Sequence, residues 1–114
     1  MNIVDSYQFR LITINGKKYS SDVIIFPDRV RDNWWRKEGH RLCLEDITEV
    51  ITENPEVLVV GTGVSGLMRV LPEVRQAADT KGIKLIAETT DKAYHTYNQF
   101  CQSKGVVAVL HLTC

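Results

Sequence analysis

Hydrophobic and polar positions change their spacing about a third of the way along the chain. The front is β-rich: Phe9–Ile14 (FRLITI) and Asp22–Pro27 (DVIIFP) are apolar stretches on either side of NGKKYSS. Asn15-Gly16 is the dipeptide expected to close a hairpin between them, because both residues tolerate positive φ. A third short strand fits around Lys17–Ser20. Residues Asp28–Arg41 follow no clean period and read as an ordered loop anchored by Trp34 and Trp35.

From Leu44 onward helical and extended patterns alternate. Leu44, Ile47, Val50 and Ile51 share one helical face, and that helix should stop before Pro55. Val57–Val60 is a continuous apolar run of the kind found in a strand covered on both faces. Pro72 suits the first position of a helix with Val74, Ala77 and Ala78 as its stripe and Gly82 at its end. Ile83–Glu88 reads as a second parallel-type strand. In the segment 89–105, Ala93, Tyr94, Tyr97, Phe100 and Cys101 fall on one face of a helix that Thr90 or Asp91 could cap and Gly105 could close. Val106–Leu112 is the last strand. Three strands alternating with helices imply right-handed crossovers. The expected fold is α/β: a single three-layer domain over residues 1–114, with an N-terminal antiparallel β hairpin element and a mostly parallel sheet of three βα-type strands flanked by helices.

At 114 residues the chain has room for one domain and one core. Fourteen Lys and Arg balance fourteen Asp and Glu, which removes the electrostatic argument for a nucleic-acid or anionic-membrane partner. The cysteines, Cys43, Cys101 and Cys114, are odd in number and lack a C-x-x-C spacing, as expected of reduced thiols. The first residues show neither a signal-peptide core nor a transit composition, and no apolar run approaches the ~18 residues of a membrane helix. The expected location is the cytoplasm.

Val57–Gly66 (VLVVGTGVSG) raises the question of chemistry, since an apolar strand runs into a literal G-x-G-x-x-G. Glu88 ends the next strand 22 positions after Gly66, close to the spacing of a dinucleotide fold. Pro72 argues against that reading. A nucleotide loop needs its helix to begin among the glycines, where free N–H groups and the positive dipole end meet phosphate. Such a helix would carry Pro72 about two turns in, at a cost of ~3 kcal/mol or more. With the helix starting at Pro72, GTGVSG becomes a turn and no cofactor is expected.

The remaining constellations are incomplete. His40, His95, His111 and the cysteines supply one close pair, His111 with Cys114, and no tetrahedral metal set. Cys114 beside His111 is the one candidate thiol nucleophile, but a thiolate needs a base or positive surroundings and the C-terminal carboxylate next to it works against one. No catalytic residue is therefore assigned. If a small-ligand or anion site exists, it lies where the strands' carboxyl ends meet, in a crevice of Gly61, Thr62, Gly63, Glu88, Thr90 and Thr113. Trp35 and Arg36, in the densest aromatic–cation cluster, are the candidate interaction residues.

Four stretches resemble those of the small Mth-type domain proteins: Trp35-Arg36, Leu58–Gly63 (LVVGTG), the run Thr90, Ala93, Thr96, Tyr97, Asn98, and His111–Cys114 (HLTC). That family comprises uncharacterised archaeal and bacterial members, an adipogenesis-associated protein of animals and a mitochondrial complex I assembly-factor branch. The resemblance spans nearly the full length and implies a compact α/β domain with a role in assembly, interaction or regulation. Lacking a presequence, the chain is not expected to share the respiratory role. The expected partner is a protein of unknown identity, with no nucleic acid, no membrane insertion and no assigned oligomeric state.

Overall fold

Three segments at the front of the chain form an antiparallel meander in the computed structural model, which describes residues 2–102 and 104–114. They are β1 (Val4–Gln8), β2 (Leu11–Ile14) and β3 (Lys17–Tyr19). β4 (Val23–Ile25), β5 (Val30–Arg31) and β6 (Arg41–Leu42) follow, then a 3-10 turn over Leu44–Ile47 and α1 (Thr48–Glu53). The rest is β7 (Val57–Gly61), β8 (Arg69–Val70), α2 (Pro72–Thr80), β9 (Lys84–Glu88), α3 (Thr90–Phe100) and β10 (Val106–Leu110).

The main sheet has five strands in the order β5-β4-β10-β7-β9. β7 lies parallel to both β10 and β9, whereas β4 joins β10 antiparallel and β5 joins β4 antiparallel. This corrects the expected mostly parallel sheet of three strands. The Asn15-Gly16 turn is present, with φ of 54° and 79°, but it joins β2 to β3. DVIIFP leaves the meander and completes the main sheet, because Val23, Ile24 and Ile25 are all buried and need cover on both faces. The residues expected to be a loop contribute β5 and β6, and β6 forms a two-residue parallel pair with β8.

Alternation along the central strands divides the core. Leu58, Val60, Val107 and Val109 point to one side, where Val50 of α1 and Val74 and Ala78 of α2 cover them. Val57, Val59, Val106, Ala108 and Leu110 point to the other, against Ala93 and Tyr97 of α3 and Ile12 and Ile14 of the meander. The expected stripe of α3 holds: Ala93 and Tyr97 are buried, with Tyr94, Phe100 and Cys101 packed beside them. Ser103, in the segment expected to be helical, lies outside the described residues. Thr96, Tyr97 and Asn98 fasten α3 to its surroundings. Thr96 Oγ1 donates to Glu88 Oε1 (2.6 Å), Tyr97 OH donates to the Asn2 carbonyl (2.8 Å), and Asn98 bonds both the N–H and the carbonyl of Val4.

Candidate functional site

The carboxyl ends of β7, β9 and β10 meet at one edge, and the glycine loop lies there. α2 begins at Pro72, beyond β8 and away from the glycines. Most of the loop's N–H groups are turned onto the chain itself. Thr62 N donates to the Glu88 carbonyl (2.9 Å), Gly63 N to Thr90 Oγ1 (2.9 Å) and Val64 N to the Thr113 carbonyl (2.7 Å). Leu67 N reaches the main-chain oxygen of Cys114 (3.2 Å), and Met68 N reaches that of Thr62 (3.1 Å). An anion could take these donors only by displacing protein acceptors. The glycines serve close approach instead. A Cβ on Gly63, whose φ is +105°, would lie 2.6 Å from the Cys114 main chain, and one on Gly61 would lie 2.9 Å from Thr90 Oγ1.

The six crevice residues are thus brought together. Thr62 and Glu88 bond directly, Gly63 and Thr90 bond twice, and Thr113 joins through Val64. Thr90 does not cap α3 with its side chain, since Thr89 holds the cap position. Its buried hydroxyl instead accepts from Gly63 N and donates to the His111 carbonyl (2.6 Å). Cys114 is exposed, and the ring nitrogens of His111 are directed to other residues.

Beside the loop is a polar cluster that the sequence did not reveal. Asp22 Oδ2 accepts from an Arg36 amino group (2.7 Å) and lies 2.8 Å from His111 Nδ1, while Oδ1 accepts from Leu112 N (2.7 Å). The second Arg36 amino group is 2.9 Å from the same Nδ1 and also donates to the Gly39 carbonyl (3.0 Å). Nδ1 cannot both donate to Asp22 and accept from Arg36. A carboxylate oxygen facing an unprotonated nitrogen is repulsive, so the favoured tautomer carries the proton on Nδ1 and leaves Nε2 toward Thr113 Oγ1 (3.3 Å). Burial pushes the Asp22 carboxyl up, but hydrogen bonds from His111, Leu112 N and Arg36, together with the Arg36 charge, hold it below the ordinary carboxylate range. All three side chains are largely buried.

This cluster determines what happens at Trp34 to Arg36. Trp34 is buried, donates from Nε1 to the Asp46 carbonyl (3.0 Å) and lies under the Arg36 guanidinium. Trp35, between these two anchors, is 82% exposed. The expectation that both tryptophans anchor the loop is corrected: Trp34 and Arg36 anchor it, and Trp35 is on the surface. A cavity of about 270 Å³ bordered by Ser21, Asp22, Trp35, His111 and Thr113 opens beside them. The available signals for Asp22 and His111 were weak. Each is a polar residue at the end of an apolar strand, and the two lie 89 positions apart.

Two further observations bound the chemistry. Among the described residues no group of three or more His, Cys, Asp and Glu is arranged to hold a metal ion. Among them also, no helix is long and apolar enough to cross a membrane.

The family described as "Protein of unknown function (DUF498/DUF598)" matches residues 4–111. NADH dehydrogenase (ubiquinone) 1 alpha subcomplex assembly factor 3 of Mus musculus is 31% identical over 110 residues, covering 90% of this chain and 56% of the mouse protein. The rat protein of the same name matches over the same extent. The chain spans about half the length of these curated relatives. Among solved structures, a conserved hypothetical protein of Pyrococcus horikoshii superposes with a TM-score of 0.84 at 26% identity, covering 97% of this chain and 98% of that one. An Mth938-like domain of Bordetella pertussis shares the fold, with a TM-score of 0.68 at 23% identity over 97% of this chain and 85% of that one.

Proposed function

We propose that this chain, which belongs to the DUF498/DUF598 family of proteins of unknown function, is an interaction domain acting in protein assembly rather than an enzyme. One observation carries the reading. The exposed large apolar side chains Phe9, Trp35, Val64 and Leu67 all stand on segments gathered around residues 111–114. Arg10 N, next to Phe9, donates to the Leu112 carbonyl, and Val64 and Leu67 donate to Thr113 and Cys114. Trp35 shares a cavity with His111 and Thr113. Apolar side chains left in water on segments that converge at one place support a protein contact, and a tryptophan is a strong anchor for one. The similarity to an assembly factor supports the same class of role.

The glycine loop supports the reading from the other direction, because the N–H groups of Thr62, Gly63, Val64 and Gly66 already have acceptors within the chain. The partner is a protein with an apolar face, since a chain of zero formal charge offers little long-range attraction to either sign.

The test compares the tagged 114-residue chain with its Trp35→Ser/Leu67→Ser variant in capture experiments from the native host. The expected result is loss of a specific partner with little change in melting temperature, since exposed substitutions usually change stability by about 0.5 kcal/mol or less. Retention of every partner by the variant would overturn the assignment. So would stabilisation by several degrees on adding phosphate or NAD, because selective binding to the native state must raise the midpoint.

A further inference from the structure

The main sheet ends at β9, whose sequence Lys84-Leu85-Ile86-Ala87-Glu88 contains no proline or glycine. Its inner side is fixed by pairing with β7. Lys84 N donates to the Glu56 carbonyl and the Glu88 carbonyl accepts from Thr62 N, so the main-chain groups of residues 84, 86 and 88 face β7. By the two-residue repeat of a strand, the N–H and C=O groups of Leu85 and Ala87 face outward. Among the described residues no strand pairs with that side. The helices do not cover it either: Leu85 and Ala87 pack toward the α1–α2 core and Ile86 toward the α3 core, and all three remain half-buried.

The charges of this strand have a particular arrangement. The Lys84 ammonium lies 5.7 Å from the centre of the Phe100 ring, and Glu88 accepts from Thr96, so both are held on the α3 face. We propose that β9 is a self-pairing edge, joining antiparallel to β9 of a second copy about a two-fold axis through Ile86. In that register Leu85 faces Ala87 of the copy, and both present outward main-chain groups, so each such pair exchanges its N–H and C=O bonds. Lys84 then faces Glu88 of the copy at a position without main-chain bonds, where side chains approach most closely. Both ends of the pairing carry this opposite-charge contact. Registers centred on Leu85 or Ala87 also match outward groups, but they leave Lys84 or Glu88 opposite Ile86. Only the Ile86-centred register satisfies the charges and uses the whole strand. Such a contact is isologous and closed, and it removes the open edge from solvent. The zero net charge of the chain sets no repulsion against it.

The test is the mass of the full chain in solution by light scattering, with charge swaps at the edge. The wild type is expected at twice 13.0 kDa at high protein concentration. Lys84→Glu and Glu88→Lys alone should each halve that mass, since each places like charges opposite one another. Mixing the two variants should restore the doubled mass, because one then carries two acids and the other two bases on the edge. A monomeric wild type would overturn the proposal, as would a dimer that neither swap disturbs. Should a variant fail to fold, amide exchange of the wild type decides the question. Leu85 and Ala87 should be protected at high concentration and lose that protection on dilution, and fast exchange at every concentration refutes the pairing.

Discussion

At Asp22 one carboxylate oxygen meets both a guanidinium and an imidazole, while the other takes a main-chain N–H. Burial alone would favour the neutral acid, so the charged form persists because its partners outweigh that penalty. In the unfolded chain the group titrates near the ordinary 3.8, and in the folded chain below it. As pH falls, the unfolded state takes up the proton first. The contribution of Asp22 to stability is therefore complete above the ordinary value, declines as pH drops beneath it, and is lost once pH passes the folded-state value. Asp22→Asn leaves the Arg36 guanidinium buried without its countercharge, which should cost about 3–5 kcal/mol near neutral pH. Urea unfolding at pH 7 and at pH 3 should show wild type and variant converging in acid. A constant difference between them across that range would mean that Asp22 does not hold the cluster through its charge.

At the scale of elements, Thr90 links three of them. From the first turn of α3 its hydroxyl accepts from Gly63 after β7 and donates to the His111 carbonyl after β10. Thr90→Val keeps the shape and removes both bonds, which should cost about 1–3 kcal/mol for each buried group left unpaired. Thr90→Ser should retain most of the stability, and equal midpoints for the two variants in thermal melts would rule out this latch. The same elements explain what the sequence could disclose. Pro72 disclosed the start of α2 because proline fits only the first turn of a helix, and Asn15-Gly16 disclosed a turn because few other pairs accept positive φ twice. Which strand follows a turn is a different matter. β3 and β4 are both short, and only tertiary cover decides that β4 crosses to the main sheet. The six crevice residues were legible as a group because parallel strands bring their carboxyl ends together. The Asp22–Arg36–His111 cluster was not, since it is assembled across separations of 14, 75 and 89 residues with no local pattern to announce it.

The whole molecule is organised around two strands that are buried along their length. Every residue of β7 and β10 is buried, with α1 and α2 over one face of the sheet and α3 and the meander over the other. β5 has two residues, one of them exposed, and depends on a single neighbour. Opening β7 or β10 must break both cores, whereas opening β5, with Arg31 exposed and Val30 only half-buried, breaks little apolar contact. Native-state hydrogen exchange should therefore follow this order: amides of β7 and β10 exchange only through global unfolding, and those of β5 exchange through small local openings. The glycine loop provides the sharper case. A nucleotide loop with solvent-facing donors would exchange quickly in the absence of ligand. Gly63 and Val64, bonded to Thr90 and Thr113, should instead exchange at rates close to those of β7. If Gly63 and Val64 exchange as fast as β5, the loop opens independently of the core, and a ligand could reach donors that the closed structure keeps for itself.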